Sequence, residues 1–195
     1  MTRVEAEAES PGTVDVQLAW SWDLINWTRP ARRTPFFALG PKGSFDSKMI
    51  YTARAPVVMD DKLYFYYGGF DTRHNARAYN GAIGLATLRL DGFCSMHSGP
   101  AGGWLITRRE KLPAPQIAIN GATAPGGSIR AEILNLDGKV VAGFSVQDCV
   151  PFTGDSVRHT LRWRTEEFPA GVRDRVKQIR FYLTNADLYS YLPLS

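Results

Sequence analysis

The sequence predicts an all-β chain of two consecutive units, and three observations carry that expectation. Several short segments alternate apolar and polar residues with the two-residue period of half-buried strands. Eighteen glycines and twelve prolines in 195 residues cut the chain into pieces of strand length. No segment keeps apolar residues at three- and four-residue spacing without Gly, Pro or a β-branched alternation interrupting it, so a short helix around Val172 to Val176 is the most that the pattern allows.

Residues 1 to 12 are polar and are expected to fray. Val14, Val16, Leu18 and Trp20 then alternate with Asp15, Gln17 and Ala19, as in a strand with one buried face. Ser21 to Trp27 reads as a polar-tipped turn with aromatic anchors, and the Pro- and Arg-containing stretch to Gly43 as a long connecting loop. Met49 to Val58 is an extended apolar run, Asp60-Asp61 a tight turn, and Lys62 to Tyr67 a strand, which together make a hairpin ended by Gly68-Gly69. A polar loop covers Asp71 to Asn80, and Ala82 to Leu90 is a further strand closed by Asp91-Gly92. Three strands in antiparallel succession have the make-up of one propeller blade, with the fourth supplied by Cys94 to Met96 or by another part of the chain.

The breaker cluster Ser98-Gly99-Pro100-Ala101-Gly102-Gly103 marks the expected domain boundary, giving a partial β-propeller over 1–98 and an antiparallel β-sandwich over 103–195. Beyond it, strands are expected at Trp104 to Lys111, Gln116 to Asn120, Ser128 to Asn135, Val140 to Phe144, Val157 to Arg164 and Val176 to Leu183. Leu136-Asp137-Gly138-Lys139 supplies a hairpin turn. Ile129, Ala131, Ile133, then His159, Leu161, Trp163, then Ile179, Phe181, Leu183 alternate with Arg, Glu, Thr or Tyr, so each strand has one packed and one wet face.

Composition narrows the function. Lys and Arg exceed Asp and Glu by 23 to 19, but the basic residues are scattered and form no run longer than Arg32-Arg33 or Arg108-Arg109, which argues against a nucleic-acid groove. Cys94 and Cys149 lack a second Cys or His at metal spacing and read as buried free thiols; no metal or cofactor motif is present. The opening residues carry acidic side chains where an export signal would be basic and then apolar, and no run is long enough to span a membrane, so a soluble chain without membrane partners is expected.

The stretch Leu63-Tyr64-Phe65-Tyr66-Tyr67-Gly68-Gly69-Phe70-Asp71-Thr72, followed by Ile83-Gly84-Leu85-Ala86-Thr87, resembles the last blade of the five-bladed propellers that process glycosides. It is similar to the family 130 mannoside phosphorylases and hydrolases and, more loosely, to the propellers of families 32, 43 and 68. Ala19 to Trp27 and the lead-in from Gly43 to Tyr51 resemble segments of the same group, so the likeness covers roughly residues 15 to 96. The C-terminal half resembles the sandwich appended to bacterial members of that group.

The resemblance implies a carbohydrate-related protein: the C-terminal part, or a shortened relative, of a propeller glycosidase. In these families the earlier blades supply the catalytic acids, so what is expected here is sugar binding with little catalysis of its own. Asp71 would hydrogen-bond sugar hydroxyls, and Arg73 with His74 would add cations of the kind phosphorolysis uses. Asp46 with Tyr51 and Arg54 forms a second candidate group. Each has a plainer reading, as a loop cap, a solvated Asp–Arg loop and a surface turn respectively. Trp20, Trp22, Trp27 and Tyr64 to Tyr67 offer rings for sugar stacking, although alternation should bury all but one or two. Asp155 and Asp187 lie in turns with oxygen ligands for Ca²⁺, where turn chemistry is the competing account, and His159 falls on a packed face as a core histidine. The rival from another class is a structural module whose open strand edges pair with a second copy, making a homo-oligomer.

Overall fold

A computed structural model of the chain describes residues 12–30, 34–172 and 175–194. Its regular elements among these residues are all strands, arranged in two antiparallel sheets, with neither a closed barrel nor a propeller. The chain divides into two compact units, Met1–Leu88 and Arg89–Ser195. The expected fraying of residues 1 to 12 and the pair Arg32-Arg33 lie almost wholly outside the described residues, as does part of the expected helix at Val172 to Val176.

In the first unit, β1 (Met49–Thr52) and β2 (Val57–Met59) pair with one edge of β3 (Lys62–Phe70), and β4 (Gly81–Arg89) pairs with β3 as well. The run expected to be continuous from Met49 to Val58 is broken between Thr52 and Val57. Pro56 has no N–H for the ladder and restricts Ala55 before it. The Asp60-Asp61 and Asp91-Gly92 turns are as read, with Asp60 and Asp91 in the left-handed region that tight turns need and that Asp tolerates. Val14 to Leu18 keeps the predicted alternation, with Val14, Val16 and Leu18 half-buried and Asp15 and Gln17 exposed, but it fails at the end, where Ala19 is half-buried and Trp20 exposed. Among the described residues the segment pairs through isolated bridges, Val14 to Met49, Val16 to Phe37 and Trp20 to Thr28.

In the second unit two strands of eighteen residues, β8 (Ile117–Leu134) and β10 (Val176–Pro193), run antiparallel from Gln178 opposite Leu134 to Pro193 opposite Ile117. The other edge of β10 takes β7 (Glu110–Lys111), β6 (Gly103–Ile106) and β5 (Met96–Ser98) in turn, and β9 (Asp155–Leu161) pairs with β8. The two expected strands at Gln116 to Asn120 and Ser128 to Asn135 are thus one, passing through Pro125, Gly126 and Gly127. Val140 to Phe144 forms no strand and makes a single bridge, from Val140 to Leu134. The Ser98–Gly103 cluster lies inside this unit, where it loops out between β5 and β6, which follow one another in the same direction along one edge of β10.

Ile129, Ala131 and Ile133 face Leu183, Phe181 and Ile179 across the β8–β10 ladder, and all six are buried. Phe144, Phe152, Leu161 and Trp163 join the same core, as the alternation of the Val157 to Arg164 segment predicted for its last two. His159 is half-buried with its ring 4.5 Å from that of Phe152, and its pKa is pushed down first by burial and then by the Arg162 charge. Cys149 is buried as expected and its thiol is pushed up by burial, whereas Cys94 is exposed. Cys94 falls in the turn after β4, outside any sheet, where nothing covers it.

Candidate functional site

Asp46 and Asp71 flank the end of β3 from opposite directions along the chain, and their surroundings differ. Asp46 is 9 % exposed and both its oxygens are occupied: Ser44 Oγ donates to Oδ1 at 2.6 Å and the Tyr67 hydroxyl to Oδ2 at 2.9 Å. These bonds hold its pKa below the usual carboxylate value, the Ser44 bond most of all, while burial and the adjacent Asp46 charge push the Tyr67 phenol up. Tyr67 is in turn packed edge-on by Phe37 at 4.7 Å and stacked by Phe45 at 5.9 Å. A Cβ at Gly69 would come within 2.6 Å of Asp46 Cβ and 2.7 Å of the Phe45 ring, so the lead-in loop lies directly on the backbone of β3. Asp46 therefore fastens its loop to the sheet. It makes no bond to Tyr51 or Arg54, and a carboxylate held ionised in this way is a poor proton donor.

Asp71 opens the loop from 71 to 80 that joins β3 to β4. Asn80 closes that loop on it, donating from Nδ2 to Asp71 Oδ2 at 3.0 Å and accepting the Asp71 N–H at 3.4 Å. Asp71 Oδ1 and Thr72 Oγ1 are covered yet have no hydrogen-bond partner among the described residues. Arg73 and His74 follow on the exposed side of the loop and are tied down by backbone atoms: Arg73 C=O accepts Ala76 N–H, and His74 N–H donates to Gly12 C=O at 2.8 Å. The Tyr79 hydroxyl donates to His74 C=O at 2.6 Å.

Three rings border this loop. Phe70 is met edge-on by Tyr51 at 6.0 Å and by Tyr79 at 6.1 Å, and both tyrosines are exposed. The structure so brings Asp71, Arg73, His74 and Tyr51 to one end of the sheet. Arg54 is elsewhere, exposed in the break between β1 and β2, because β1 runs away from the end where Met49 faces Phe70. Sequence reading passed over Tyr79, Asn80 and Thr72. The available signal was the Tyr-Asn pair closing the polar loop before β4, with Asn able to answer the Asp that opens it.

Trp20, Trp22 and Trp27 are all exposed, Trp22 at 79 %, as is Tyr66, against the expectation that all but one or two of these aromatics would be core. The segment lies outside the sheet ladder, and its tip is shaped by Asp23, whose carboxylate accepts the Ile25 and Asn26 N–H groups, rather than by apolar packing. In the second unit Asp155 pairs with Arg89 at 2.8 Å, and Asp187 accepts from Ser95 at 2.7 Å and lies 3.1 Å from the His97 ring nitrogen. Both aspartates lie on strands, Asp155 at the start of β9 and Asp187 within β10, and are engaged by protein partners; among the described residues no group of three or more His, Cys, Asp or Glu is placed to hold a metal ion. No helix among them is long and apolar enough to cross a membrane. No protein-family model, curated protein or solved structure matches the chain.

Proposed function

We propose that this chain is a sugar-binding relative of the propeller glycosidases, with its sugar contacts on the loop from 71 to 80, and that it lacks full hydrolytic machinery. The observation that carries the reading is the Asp71 carboxylate, one oxygen held by Asn80 and the other covered and without a partner among the described residues, beside the exposed rings of Tyr51 and Tyr79. A sugar offers what such a group lacks. Its hydroxyls donate to a carboxylate oxygen, and its C–H faces pack on aromatic rings. Hydrolysis requires two carboxylates about 5–10 Å apart with one kept protonated. Asp46, the other acid of this sheet end, is committed to Ser44 and Tyr67 and kept ionised, so binding without hydrolysis is the chemistry favoured here. Arg73 and His74 add exposed donors at the rim.

A glycan-array survey followed by isothermal titration with β-mannosides, fructans and arabinans tests this. Wild type is expected to bind one of these classes, with Asp71→Ala weakening it by about tenfold, the worth of one charge-assisted hydrogen bond. Equal affinity in the variant, or no glycan bound at all, would remove the reading.

One observation favours a second reading, a structural module that forms a homo-oligomer. β4 exposes Ile83 and Leu85 beside an edge that no other strand pairs among the described residues, an apolar strand border without the Lys or Pro that usually guards such edges.

A further inference from the structure

The sheet of the first unit has one covered face and one bare face. Cross-strand partners share a face, so the ladder of β3 sorts the side chains. Leu63, Tyr67 and Gly69 turn to the side on which Phe37, Phe45 and Asp46 lie, and Leu63 and Gly69 are buried there. The opposite side carries Tyr64 and Tyr66 of β3, together with Val57 and Met59 of β2, which stand across from Tyr64 and Lys62.

β4 gives this bare side its large residues. A Cβ at Gly84 would press on the Tyr67 ring, and one at Gly81 would come within 2.6 Å of the Phe70 ring. Gly84 and Ala86 therefore lie on the covered side and Ile83 and Leu85 on the bare one. This inverts the ordinary pattern of a strand with one wet face, in which large apolar residues point inward and polar ones outward.

The area left open is that of an interface. Ile83 is 83 % exposed, and Val57, Met59, Tyr66 and Leu85 are each close to half exposed. Their open portions amount to roughly three whole side chains, or about 600 Å² at about 200 Å² for a large residue. The largest apolar patch of a monomer is about 300–600 Å², and a stable interface buries about 1,200 Å² or more over both partners. One such face in water is at the upper limit, while two laid together reach the area that a stable pair needs. Beyond Lys62 at its start, β3 places no charge on this side, so the face lacks the basic residues that draw a protein to nucleic acid or to anionic lipid.

We propose that this face is a self-association surface, on which a second copy of the chain lays the same face in a two-fold pair, the two sheets forming a sandwich about 10 Å deep. Tyr66 and Leu85 of each copy then pack on their counterparts, and Ile83 loses its exposure. The proposal names the surface for the homo-oligomer reading and rests on that reading's second copy, but not on the edge of β4, which face-to-face packing leaves as it is.

Sedimentation velocity of the full chain over a wide range of concentration tests this, with wild type, Tyr66→Phe, Tyr66→Lys and Val57→Lys. Wild type is expected to dimerise as concentration rises, Tyr66→Phe to match it, and each lysine variant to weaken the dimer by about tenfold or more. Tyr66 is on the central strand and Val57 on the side of β3 away from β4, so pairing through the β4 edge would leave both lysine variants dimeric. Should circular dichroism show that a lysine upsets the fold, the double variant Val57→Thr/Leu85→Thr keeps strand-forming residues and is expected to weaken the dimer in the same way. A dimer as tight as wild type's in these variants overturns the proposal and leaves the edge reading standing. A monomer at every concentration overturns both, and if that monomer floats with phosphatidylcholine vesicles the face belongs to a lipid surface instead.

Discussion

Glu132 is buried on β8 and serves two donors with one oxygen: Arg180 Nη1 at 2.8 Å and the Tyr182 hydroxyl at 2.9 Å both reach Oε1. The Arg180 guanidinium also lies 5.3 Å from the centre of the Trp104 ring, so a cation, an anion and an aromatic ring form one cluster on the side of the sheet away from Ile179 and Phe181. Removing the acid leaves a half-covered guanidinium and a phenol without their acceptor. Glu132→Ala should therefore cost about 2 kcal/mol in denaturant unfolding, below the figure for a fully buried pair because Arg180 still reaches water. A loss under about 0.5 kcal/mol would mean that solvent replaces the carboxylate. Nothing in the sequence separates this Glu from a solvated one, since a strand's polar positions look alike until their cross-strand neighbours are known. The position of Asp71 at a strand end was legible because a Gly pair and a strand precede it. Its unengaged oxygen and the ring of Tyr79 depend on how the loop closes, which no spacing records.

β8 shows why strand periodicity located most elements but misjudged their lengths. Its two alternating halves are readable, and the Ala-Pro-Gly-Gly between them looks like a break, yet β10 pairs with both halves and carries the strand through. The passage depends on close backbone approach at Gly127. A Cβ there would press on the Asn185 and Thr184 carbonyl oxygens, the latter at 2.8 Å, where Asn185 takes a φ of 42° and the register of β10 shifts. Since backbone cannot move aside as a side chain does, Gly127→Ala should destabilise the second unit by about 3 kcal/mol, measured by thermal or denaturant unfolding. Gly126 beside it has open space but a φ of 74°, so Ala there should cost about 1 kcal/mol, from backbone strain alone. Similar losses at both positions would show that the close approach contributes nothing.

For the molecule as a whole, all-β character and antiparallel pairing were legible in the sequence, because period two and the Gly and Pro punctuation are local properties, whereas the second unit expected as a sandwich holds one six-stranded sheet. Which strands share a sheet was not legible, since β5 to β7 find β10 across most of the unit's length. The free edge of β4 is a property of this assembly too: Ile83 is 83 % exposed, a state that association would relieve. If the chain pairs through this edge, sedimentation velocity will show a concentration-dependent dimer that Ile83→Lys converts to monomer; a monomer at every concentration would set the structural-module reading aside. The central place of β10 bears in addition on the order of events during synthesis. Every other strand of the second unit except β9 bonds to it directly, and β9 only through β8. As residues 89 to 175 leave the ribosome they carry half-made ladders, and Ile129, Ala131 and Ile133 have Phe144, Phe152, Leu161 and Trp163 to pack on but not yet Ile179, Phe181 and Leu183 across the ladder. The unit's cooperative folding must wait for its last eighteen-residue strand, and until then its protection falls to whatever chaperones attend the nascent chain.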